Sequence, residues 1–542
     1  MNEHTFNDGT SDTSQLIPSM ADNTQLRALF ETSLQKYADR TAVVTDTEHL
    51  TYRELNRRAK AFARALIERD IEIGDRVAIL LSNRTEFVIA DIGIVKAGAA
   101  RVPINHQLTR GDIETVLRDA GAGVVVTGPE FIETIDELAD EIPALEHVIS
   151  VADERELPEE FSSFESLTVS DDELQTPKTE PGDIAGQFYT GGTTGKPKGA
   201  IHTQAGLGLN LLNHLATFDI SGDDTLLIST PLSHSGGMFL WSGLLCGATV
   251  VVHDGFDEED ILDATETHGV TWTFMVPTML YRLLDNYDVD AYNTESLETI
   301  VYGAAPMTSD RLREGIEAFG SVFIQFYGQT EVPNLITTLG KAEHQSCIDN
   351  NEYERLRSAG TPTLLSDIKV VDIETRKEVP TGEEGEILAR APYVMDRYAG
   401  RPDATEETLQ DDWLRTGDVG RVDDEGYLYL LDRLNDVIIS GGMNVYSTEV
   451  EETLAEHPDI KEVAVIGVPH ETWGEQVIAI VAPHNDSLPV ETIHSFATEK
   501  LSGYKRPKEI EFVEEIPKTT YGKPDKKTLR EPYWEDQDRE IT

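Results

Sequence analysis

The sequence predicts an α/β fold, because helical patterns alternate with short apolar runs along most of its 542 residues. The first clear helix is predicted over residues 51–70, behind the capping pattern Thr51-Tyr52-Arg53-Glu54. Buried strands are predicted at 76–81, 121–126 and 248–252. Strands that alternate with helices form layers, and a chain of this length is expected to build about two to four domains.

Changes in composition divide the chain further. Residues 1–22 are polar and poor in aromatic residues, which predicts a flexible N-terminus. A large multi-layer N-terminal domain of sheets and helices is predicted over residues 23–431. The polar stretch 432–436 interrupts this pattern, and strand, helix and strand patterns resume behind it. We therefore predict a small α+β C-terminal domain over 437–530 and an acidic tail over 531–542.

Acidic residues dominate the charge of the chain. It contains 99 Asp and Glu against 45 Lys and Arg, which gives a formal net charge of -54 at pH 7. A surface of this sign repels nucleic acid, so the sequence predicts no nucleic-acid partner. The acids are spread over the whole chain, as in proteins from salt-loaded cytoplasms, where salt screens the repulsion between carboxylates. We predict a halophilic protein; an acidic protein from an ordinary cytoplasm is the alternative.

The sequence favours a cytoplasmic location. The N-terminus has no basic patch followed by an apolar run, so no signal peptide is predicted. The longest uncharged stretch, 225–253, is interrupted by Pro231 and His234, which favours a buried core over a transmembrane segment. Cys246 and Cys347 suit a reducing compartment and offer neither a disulfide framework nor a zinc site.

A loop rich in glycine, threonine and lysine runs from Tyr189 to Gly199 and predicts a phosphate-binding site. Glycines let successive backbone N–H groups point into one concavity, threonine hydroxyls add donors, and lysines add positive charge. The loop differs from a Walker A motif because Pro197 follows Lys196. A flexible surface loop is the alternative. The predicted phosphate-binding residues are Thr190, Gly191, Gly192, Thr193, Thr194, Gly195, Lys196 and Lys198.

This loop and six further segments resemble the adenylate-forming superfamily, which includes acyl-CoA synthetases, luciferases and the adenylation domains of peptide synthetases. The segments occur in the order found in that superfamily and cover nearly the whole chain. They are Pro231-Leu232-Ser233-His234, Tyr302-Gly303-Ala304-Ala305-Pro306, Tyr327-Gly328-Gln329-Thr330-Glu331, Trp413-Leu414-Arg415-Thr416-Gly417-Asp418, Asp432-Arg433 with Ser440-Gly441-Gly442, and Pro517-Lys518-Thr519 with Gly522-Lys523.

The resemblance implies an adenylation domain over 23–431, a hinge over 432–436 and a mobile lid domain over 437–530. The usual hinge residue of the superfamily, Lys or Asp, is replaced by Asn435. The implied first half-reaction is attack of a substrate carboxylate on the α-phosphorus of ATP, which gives acyl-AMP and pyrophosphate. Lys523 is implied as the catalytic lysine of the lid, bridging the carboxylate and the α-phosphate.

The resemblance also implies a nucleotide site. Glu331 is the expected Mg²⁺ ligand, since a hard cation prefers carboxylate and phosphate oxygens, and Thr330 is expected to donate to phosphate. Asp418 is expected to bind the ribose hydroxyls, and Arg433 to bridge ribose and phosphate. The adenine is expected to lie near the backbone and small side chains of Gly303, Ala304 and Ala305, with Tyr327 stacked on the base and Gln325 nearby.

The second half-reaction implied by the resemblance transfers the acyl group to a thiol. Gly441, Gly442, Tyr504 and Lys505 match segments that flank the pantetheine tunnel of CoA-forming members. His234 is expected to gate this tunnel or to line the acyl pocket. Gly328 stands where acetate-specific relatives carry Trp, which favours medium-chain, long-chain or aryl acids over acetate.

The sequence therefore predicts an AMP-forming acyl-CoA synthetase that uses ATP, Mg²⁺, CoA and a carboxylic acid, without a transmembrane segment, with a homodimer as an expected assembly. The absence of an Asp near Pro231-Leu232-Ser233-His234 argues against an amino-acid substrate. One alternative is an acyl-AMP ligase that loads the pantetheine of a carrier protein. A catalytically silent acyl- or nucleotide-binding homologue is the non-enzymatic alternative.

Overall fold

The computed structural model describes residues 23–170, 174, 177–190, 197–485, 488–518 and 524–534, and it confirms a mixed α/β fold. The part up to Thr217 contains α1 (Leu26–Lys36), β1 (Thr41–Val44), β2 (His49–Thr51), α2 (Tyr52–Ile67), β3 (Arg76–Leu80), α3 (Thr85–Ala97), β4 (Ala100–Pro103), α4 (Arg110–Ala120), β5 (Val124–Thr127), α5 (Ile132–Glu141), β6 (His147–Ser150), β7 (Ser162–Ser163), α6 (Phe164–Leu167), β8 (Ile184–Tyr189), β9 (Gly199–Thr203) and α7 (Gln204–Thr217).

The next part repeats this alternation and then turns to strands. It contains β10 (Thr225–Ile228), α8 (Ser235–Cys246), β11 (Thr249–Val252), α9 (Glu258–His268), β12 (Trp272–Met275), α10 (Pro277–Asn286), β13 (Thr299–Gly303), α11 (Ser309–Phe319), β14 (Phe323–Gln329), β15 (Val332–Leu339), α12 (Lys341–Asn350), β16 (Thr361–Pro362), β17 (Asp367–Val371), β18 (Gly385–Arg390), β19 (Arg397–Tyr398), α13 (Pro402–Thr408), β20 (Leu409–Gln410), β21 (Trp413–Val422) and β22 (Leu428–Arg433).

The C-terminal domain follows after Asp436. It contains β23 (Ile438–Ser440), β24 (Met443–Val445), α14 (Ser447–Ala455), β25 (Ile460–His470), β26 (Gly474–Pro483), α15 (Val490–Lys500), β27 (Glu509–Phe512) and α16 (Lys526–Trp534).

The predicted capping pattern at α2 is confirmed. The Thr51 side chain accepts a hydrogen bond from the Glu54 backbone N–H, and the Glu54 carboxylate accepts one from the Thr51 backbone N–H at 2.8 Å. These bonds satisfy backbone donors that the first turn of a helix leaves free. The helix ends at Ile67, earlier than predicted, because the chain turns there and Asp70 adopts a left-handed φ of 59°.

Two large sheets form the N-terminal domain. The nine-stranded sheet has the order β16-β15-β14-β13-β12-β10-β11-β1-β2, and the eight-stranded sheet has the order β19-β9-β8-β4-β3-β5-β6-β7. The central strands of both sheets pair in parallel, as expected when helices connect successive strands. A smaller antiparallel sheet, built from β17, β18, β20, β21 and β22, completes the domain.

Alternate residues of a central strand face opposite sides of its sheet. In β3, Val77 and Ile79 belong to the largest buried cluster, which also contains side chains from the nine-stranded sheet and from α2, α3, α7 and α8. Ala78 and Leu80 face the other side and pack with α4 and α5. Another buried cluster covers the outer face of the nine-stranded sheet with α9, α10 and α11. The domain is therefore layered, with helices between and outside the two sheets.

The C-terminal domain is a five-stranded sheet with apolar side chains on both faces. One face packs against α14 and α15, and the other packs against α16 through Leu529 and Tyr533. Helix α16 continues to Trp534, so the first four residues of the predicted tail are helical and belong to this domain. The helix extends this far because the aromatic ring of Tyr533 packs against the sheet.

Candidate active site

A cleft of about 1570 Å³ lies where the carboxyl ends of the parallel strands of both large sheets meet. Residues that follow β3, β4 and β8 line it from the eight-stranded sheet, among them Asn83, Asn105 and Thr190. Residues that follow β10 and β13, such as Thr230 and Ala304, line it from the nine-stranded sheet. Ligands of open α/β sheets bind at this edge, so the fold places the predicted site where a small molecule is expected.

The described ends of the phosphate loop lie in this cleft. Thr190 and Lys198 both line it, and the Thr190 backbone N–H donates to the Lys198 carbonyl at 3.1 Å. The Lys198 ammonium lies 5.1 Å from the centre of the Tyr398 ring. The other predicted members of the loop, Gly191, Gly192, Thr193, Thr194, Gly195 and Lys196, lie outside the described residues.

Glu331 and Thr330 line the same cleft, next to Lys198. The Glu331 carboxylate accepts a hydrogen bond of 2.5 Å from the Tyr398 hydroxyl, and the backbone carbonyl of Glu331 accepts one from the Met395 N–H. Burial and the Glu331 carboxylate raise the pKa of Tyr398, so the hydroxyl remains a donor. The Thr330 carbonyl accepts from His202 at 2.9 Å. These bonds fix the predicted metal ligand in place.

Asp418 and Arg433 form a pair across neighbouring strands. They lie directly opposite each other on β21 and β22, and the Arg433 Nε is 2.8 Å from the Asp418 carboxylate. The Asp418 carboxylate also accepts from the Tyr327 hydroxyl at 2.5 Å and from the Gln329 amide at 2.6 Å. The negative charge of Asp418 raises the pKa of Arg433. Arg433 lines the cleft, whereas Asp418 is buried behind it.

The expected adenine site is only partly present in the cleft lining. Ala304 lines the cleft with a left-handed φ of 65°, which is unusual for a residue other than glycine. Gly303, Ala305, Gln325 and Tyr327 are not part of the lining found for the described residues. Tyr327 is buried, and the contact seen for its hydroxyl is with Asp418, which differs from the expected stacking on a base.

His234 also lines the cleft, just before α8. Burial and the nearby Arg101 guanidinium lower the pKa of His234 to about 4, so its imidazole is neutral at pH 7. Arg101 also lines the cleft and is almost fully buried. The side of the cleft that faces His234 thus contains a charged group that the motifs did not indicate.

Gly328 lines the cleft, and a close backbone contact also favours glycine at this position. A Cβ atom on Gly328 would lie 2.3 Å from the carbonyl carbon of Asn334 and 2.5 Å from its oxygen. Any side chain here would therefore collide with the backbone of β15. The interpretation that glycine leaves room for an acyl chain stays a prediction, and the close approach of β14 and β15 is a second reason for glycine at this position.

The C-terminal residues predicted to bind CoA do not line this cleft. Gly441 and Gly442 form the two-residue turn between β23 and β24, with φ of 62° and 77°, which suits a type I′ turn. Lys505 pairs with Glu449 at 2.6 Å, and Tyr504 is partly exposed. Lys523 lies outside the described residues; its neighbours Lys518 and Pro524 form an antiparallel β-bridge.

Asn435, the predicted hinge residue, lines the cleft after β22. Its carbonyl accepts a hydrogen bond of 3.0 Å from Arg530 on α16, and Arg530 also pairs with Asp436 at 2.8 Å. At the first residue of the predicted hinge, the Asp432 carboxylate accepts a hydrogen bond of 2.7 Å from the Ser447 hydroxyl at the start of α14. The C-terminal domain therefore contacts the hinge segment through both α14 and α16.

The site contains several residues that the sequence interpretation missed. Tyr398, Arg401 and Arg101 all line the cleft. Arg401 pairs with Asp119 at 2.9 Å, and Asp119 also accepts from the Tyr189 hydroxyl. Tyr398, Arg401 and Arg101 lie outside the motifs, and a lone Tyr or Arg gives no periodic signal.

Comparison with known protein families identifies the chain. A model of the AMP-binding enzyme family matches residues 30–399, and a model of the AMP-binding enzyme C-terminal domain matches residues 449–523. The chain belongs to the AMP-binding enzyme family.

Several relatives match this AMP-binding enzyme over nearly its whole length. It is 34% identical to a medium/long-chain-fatty-acid–CoA ligase of Mycobacterium tuberculosis, with 94% of this chain and 90% of the relative covered. It is 36% identical to a feruloyl-CoA synthase of Amycolatopsis (89% and 94% covered) and 32% identical to a fatty acid–[acyl-carrier-protein] ligase of Streptomyces coeruleorubidus (95% and 98% covered).

A solved structure supports the fold. The o-succinylbenzoate CoA synthetase of Bacillus subtilis, in complex with its acyl-adenylate intermediate, superimposes with a TM-score of 0.82 at 30% identity, covering 94% of this chain and 98% of that one. In the described part of this AMP-binding enzyme, no helix is both long and apolar enough to cross a membrane.

Proposed function

We propose that this AMP-binding enzyme is an AMP-forming acid–thiol ligase. It activates a carboxylic acid with ATP to acyl-AMP and pyrophosphate, and then transfers the acyl group to CoA. The observation that carries the proposal is the convergence of Lys198, Thr330, Glu331 and Arg433 on one cleft, in a chain that matches CoA ligases along nearly its whole length.

The first half-reaction develops negative charge around the α-phosphate, so it needs donors and cations that are fixed before the reaction begins. We propose that Thr190 and Lys198, with the loop residues between them, bind the phosphates of ATP. Arg433 bridges ribose and phosphate. We propose that Asp418, which Tyr327 and Gln329 hold directly behind Arg433, accepts hydrogen bonds from the ribose hydroxyls when ATP binds.

The carboxylate at position 331 fits a magnesium ion that arrives with ATP. Among the described residues there is no cluster of three or more metal-binding side chains, so the protein would supply few ligands. Magnesium commonly binds one or two carboxylates together with phosphates and water, which matches a single fixed Glu331. When bound, the ion would neutralise phosphate charge, while Tyr398 keeps the Glu331 carboxylate oriented.

For the second half-reaction we propose that the C-terminal domain rotates about Asn435. Lys523 would serve the adenylation step, and rotation would replace it with Gly441 and Gly442 at the cleft, with Tyr504 and Lys505 near the CoA. Among the described residues after β22, Leu434 and Asn435 line the cleft. His234, which also lines the cleft, gates the thiol or lines the acyl pocket.

We propose a medium-chain, long-chain or aryl acid as the substrate. The activities named for the relatives support this range, since they include a medium/long-chain fatty acid and a feruloyl-CoA product. The apolar lining of the cleft by Phe188, Phe274, Phe326 and Met238 also favours a bulky acyl group over acetate.

A carrier-protein pantetheine is the second candidate acceptor, and the fatty acid–[acyl-carrier-protein] ligase among the relatives favours keeping it. The two acceptors are distinguished by assaying free CoA against a purified acyl carrier protein as the thiol. A catalytically silent homologue is disfavoured because Glu331, Asp418 and Arg433 are all retained and ordered.

We further propose a halophilic, cytoplasmic protein that forms a homodimer. The formal net charge of -54 means that surface carboxylates repel one another. Because the Debye length falls to about 3 Å at 1 M salt, molar KCl should raise the midpoint of thermal unfolding. Equal stability at low salt would contradict the halophilic proposal. Light scattering coupled to size exclusion in the same salt measures the assembly.

The deciding experiment measures pyrophosphate release from a panel of carboxylic acids with ATP, Mg²⁺ and high KCl, and then thioester formation with CoA. We expect release with at least one bulky acid. Lys523→Ala should lower acyl-AMP formation by about 100-fold or more. It should leave thioester formation from presynthesised acyl-AMP and CoA largely intact. Lys518→Ala, a nearby lysine that pairs with Glu462, is the matched control.

A further inference from the structure

A buried ion pair lies at the part of the cleft wall that contains Arg101 and His234. Arg101 on β4 and Asp91 on α3 are both almost fully buried, and the Arg101 Nε lies 3.0 Å from the Asp91 Oδ1. The N–H is not directed along this contact, so the two groups form an ion pair without a hydrogen bond. The second carboxylate oxygen of Asp91 accepts from the Trp241 indole at 2.8 Å.

The Arg101 guanidinium is held in place while part of it remains available. It lies 4.3 Å from the centre of the Trp241 ring and 5.6 Å from that of Phe188. Its Nη2 is 3.4 Å from the Leu232 carbonyl, which is a long contact. Its Nη1 makes no hydrogen bond to the described residues, and Arg101 lines the cleft beside His234 and Phe188. The guanidinium is therefore fixed at the wall of the cleft with an N–H group that is not bonded to any of the described residues.

Further buried polar atoms in the same lining lack hydrogen-bond partners within the described protein. They are the Ser229 and Ser233 hydroxyls, the Thr230 hydroxyl and the Asn334 amide nitrogen, on residues that are at most 9% exposed. Buried polar groups are nearly always satisfied, by protein, water or ligand, so these groups are available to polar atoms of a ligand that enters the cleft. A purely hydrocarbon chain would leave them unsatisfied.

The charges of Asp91 and Arg101 limit which polar substituent of a ligand can bind beside them. Burial raises the pKa of Asp91 to about 6, so at pH 7 the carboxylate is ionised and balances Arg101. A second carboxylate on the substrate would add an uncompensated charge to this buried place, which is costly. A neutral oxygen, such as a phenol hydroxyl or an ether, accepts the N–H donor without changing the charge.

Resting on the proposed function, we propose that Arg101 determines specificity, and that the substrate is an aryl acid with a neutral oxygen substituent. Its aromatic ring would lie among Phe188, Phe274 and Phe326, which line the cleft. The substituent oxygen would accept a hydrogen bond from the Arg101 guanidinium. A plain fatty acid or an unsubstituted aryl acid leaves that donor unpaired, and sites of this kind discriminate strongly against such analogues.

The test compares kcat/KM for pyrophosphate release with 4-hydroxycinnamate, 4-methoxycinnamate, cinnamate, 4-carboxycinnamate and octanoate. We expect the wild-type enzyme to prefer the hydroxy or methoxy acid to cinnamate by about tenfold or more, and to disfavour the dicarboxylate. Equal kcat/KM for cinnamate and for both the hydroxy and the methoxy acid would overturn the proposal. A higher kcat/KM for 4-carboxycinnamate would also overturn it. If no acid in a broad panel releases pyrophosphate, it is the ligase function itself that fails.

Variants then connect the preference to Arg101. Asp91→Asn combined with Arg101→Met removes the donor and leaves no unpaired charge, and the new amide oxygen would still accept from Trp241. This double variant should reduce the ratio of 4-hydroxycinnamate to cinnamate to about one. The control is Glu31→Gln with Lys96→Met, which removes a partly buried ion pair of 2.6 Å outside the cleft lining. This control should leave the ratio of 4-hydroxycinnamate to cinnamate unchanged. If the double variant at Asp91 and Arg101 also leaves the ratio unchanged, Arg101 does not determine specificity.

Discussion

Two buried ionic clusters of this enzyme differ in what they join. Asp91 and Arg101 pair within the N-terminal domain, with one carboxylate for one cation. At the domain junction, Lys526 on α16 contacts Ser447 at 2.7 Å and Glu451 at 2.8 Å, while Ser447 donates to Asp432 on β22. This second cluster places two carboxylates around one lysine and connects the two domains.

The difference shows how one chain combines a rigid pocket with a movable domain. A balanced pair inside a core is costly to disturb, because removal of either partner leaves a buried charge. The junction cluster has an excess carboxylate, and burial raises the pKa of Glu451 to about 7, so this group can take up a proton when its partners change. Contacts at the junction can therefore be remade when the domain rotates.

The largest effect is expected for Arg101→Met, which would leave the ionised Asp91 buried with only the Trp241 indole as a partner. We expect a loss of about 3–5 kcal/mol in the free energy of unfolding, measured in urea at high KCl. The double variant with Asp91→Asn should recover most of this loss. A single variant that loses less than about 1 kcal/mol would mean that the pair is not a rigid element.

A smaller loss is expected for Lys526→Met at the junction. Glu451 can bind a proton in place of the lysine charge, so we expect a loss of about 2 kcal/mol in urea unfolding. The ratio of adenylation rate to thioester-forming rate should also change, because contacts between Asp432 and the C-terminal domain weaken. Lys527→Met, one residue along the same helix, is the control. Equal changes in both half-reactions would show that the cluster does not depend on domain orientation.

The smallest expected effect is on the pH dependence of the free energy of unfolding. The pKa of Glu451 is raised on folding from 4.5 to about 7, mainly by burial, so the folded state holds this proton more tightly than the unfolded state. Its contribution therefore favours the folded state at low pH and is lost as pH rises from 4.5 to 7. Glu451→Gln should remove about 1 kcal/mol of this decline between about pH 5 and 6. If the wild-type and Glu451→Gln curves run parallel, Glu451 does not titrate in this range.

Local features of the fold were predictable from the sequence, whereas the pairing of distant segments was not. The capping box of α2 and the strand β3 follow from residues that are adjacent in the chain. The order of the nine-stranded sheet depends on pairs such as Val43 with Val250, which no local pattern records.

The same division holds for the site. Motifs identified Lys198, Glu331 and Arg433, which line the cleft as expected. Tyr398 was missed because it lies on a two-residue strand, and its role depends on folding next to Glu331 from 67 positions away. The second role of Gly328 likewise required the backbone of Asn334 to be seen.

The contact between Arg530 and the hinge predicts which positions should change together in related sequences. Arg530 pairs with Asp436 and donates to the Asn435 carbonyl across 94 and 95 positions of the chain. A change of charge at 436 would leave Arg530, which is largely buried, without its counterion, so substitutions at these two positions should occur together in related sequences. An exchange of the two charges, Asp436→Arg with Arg530→Asp, should then be better tolerated than either single change.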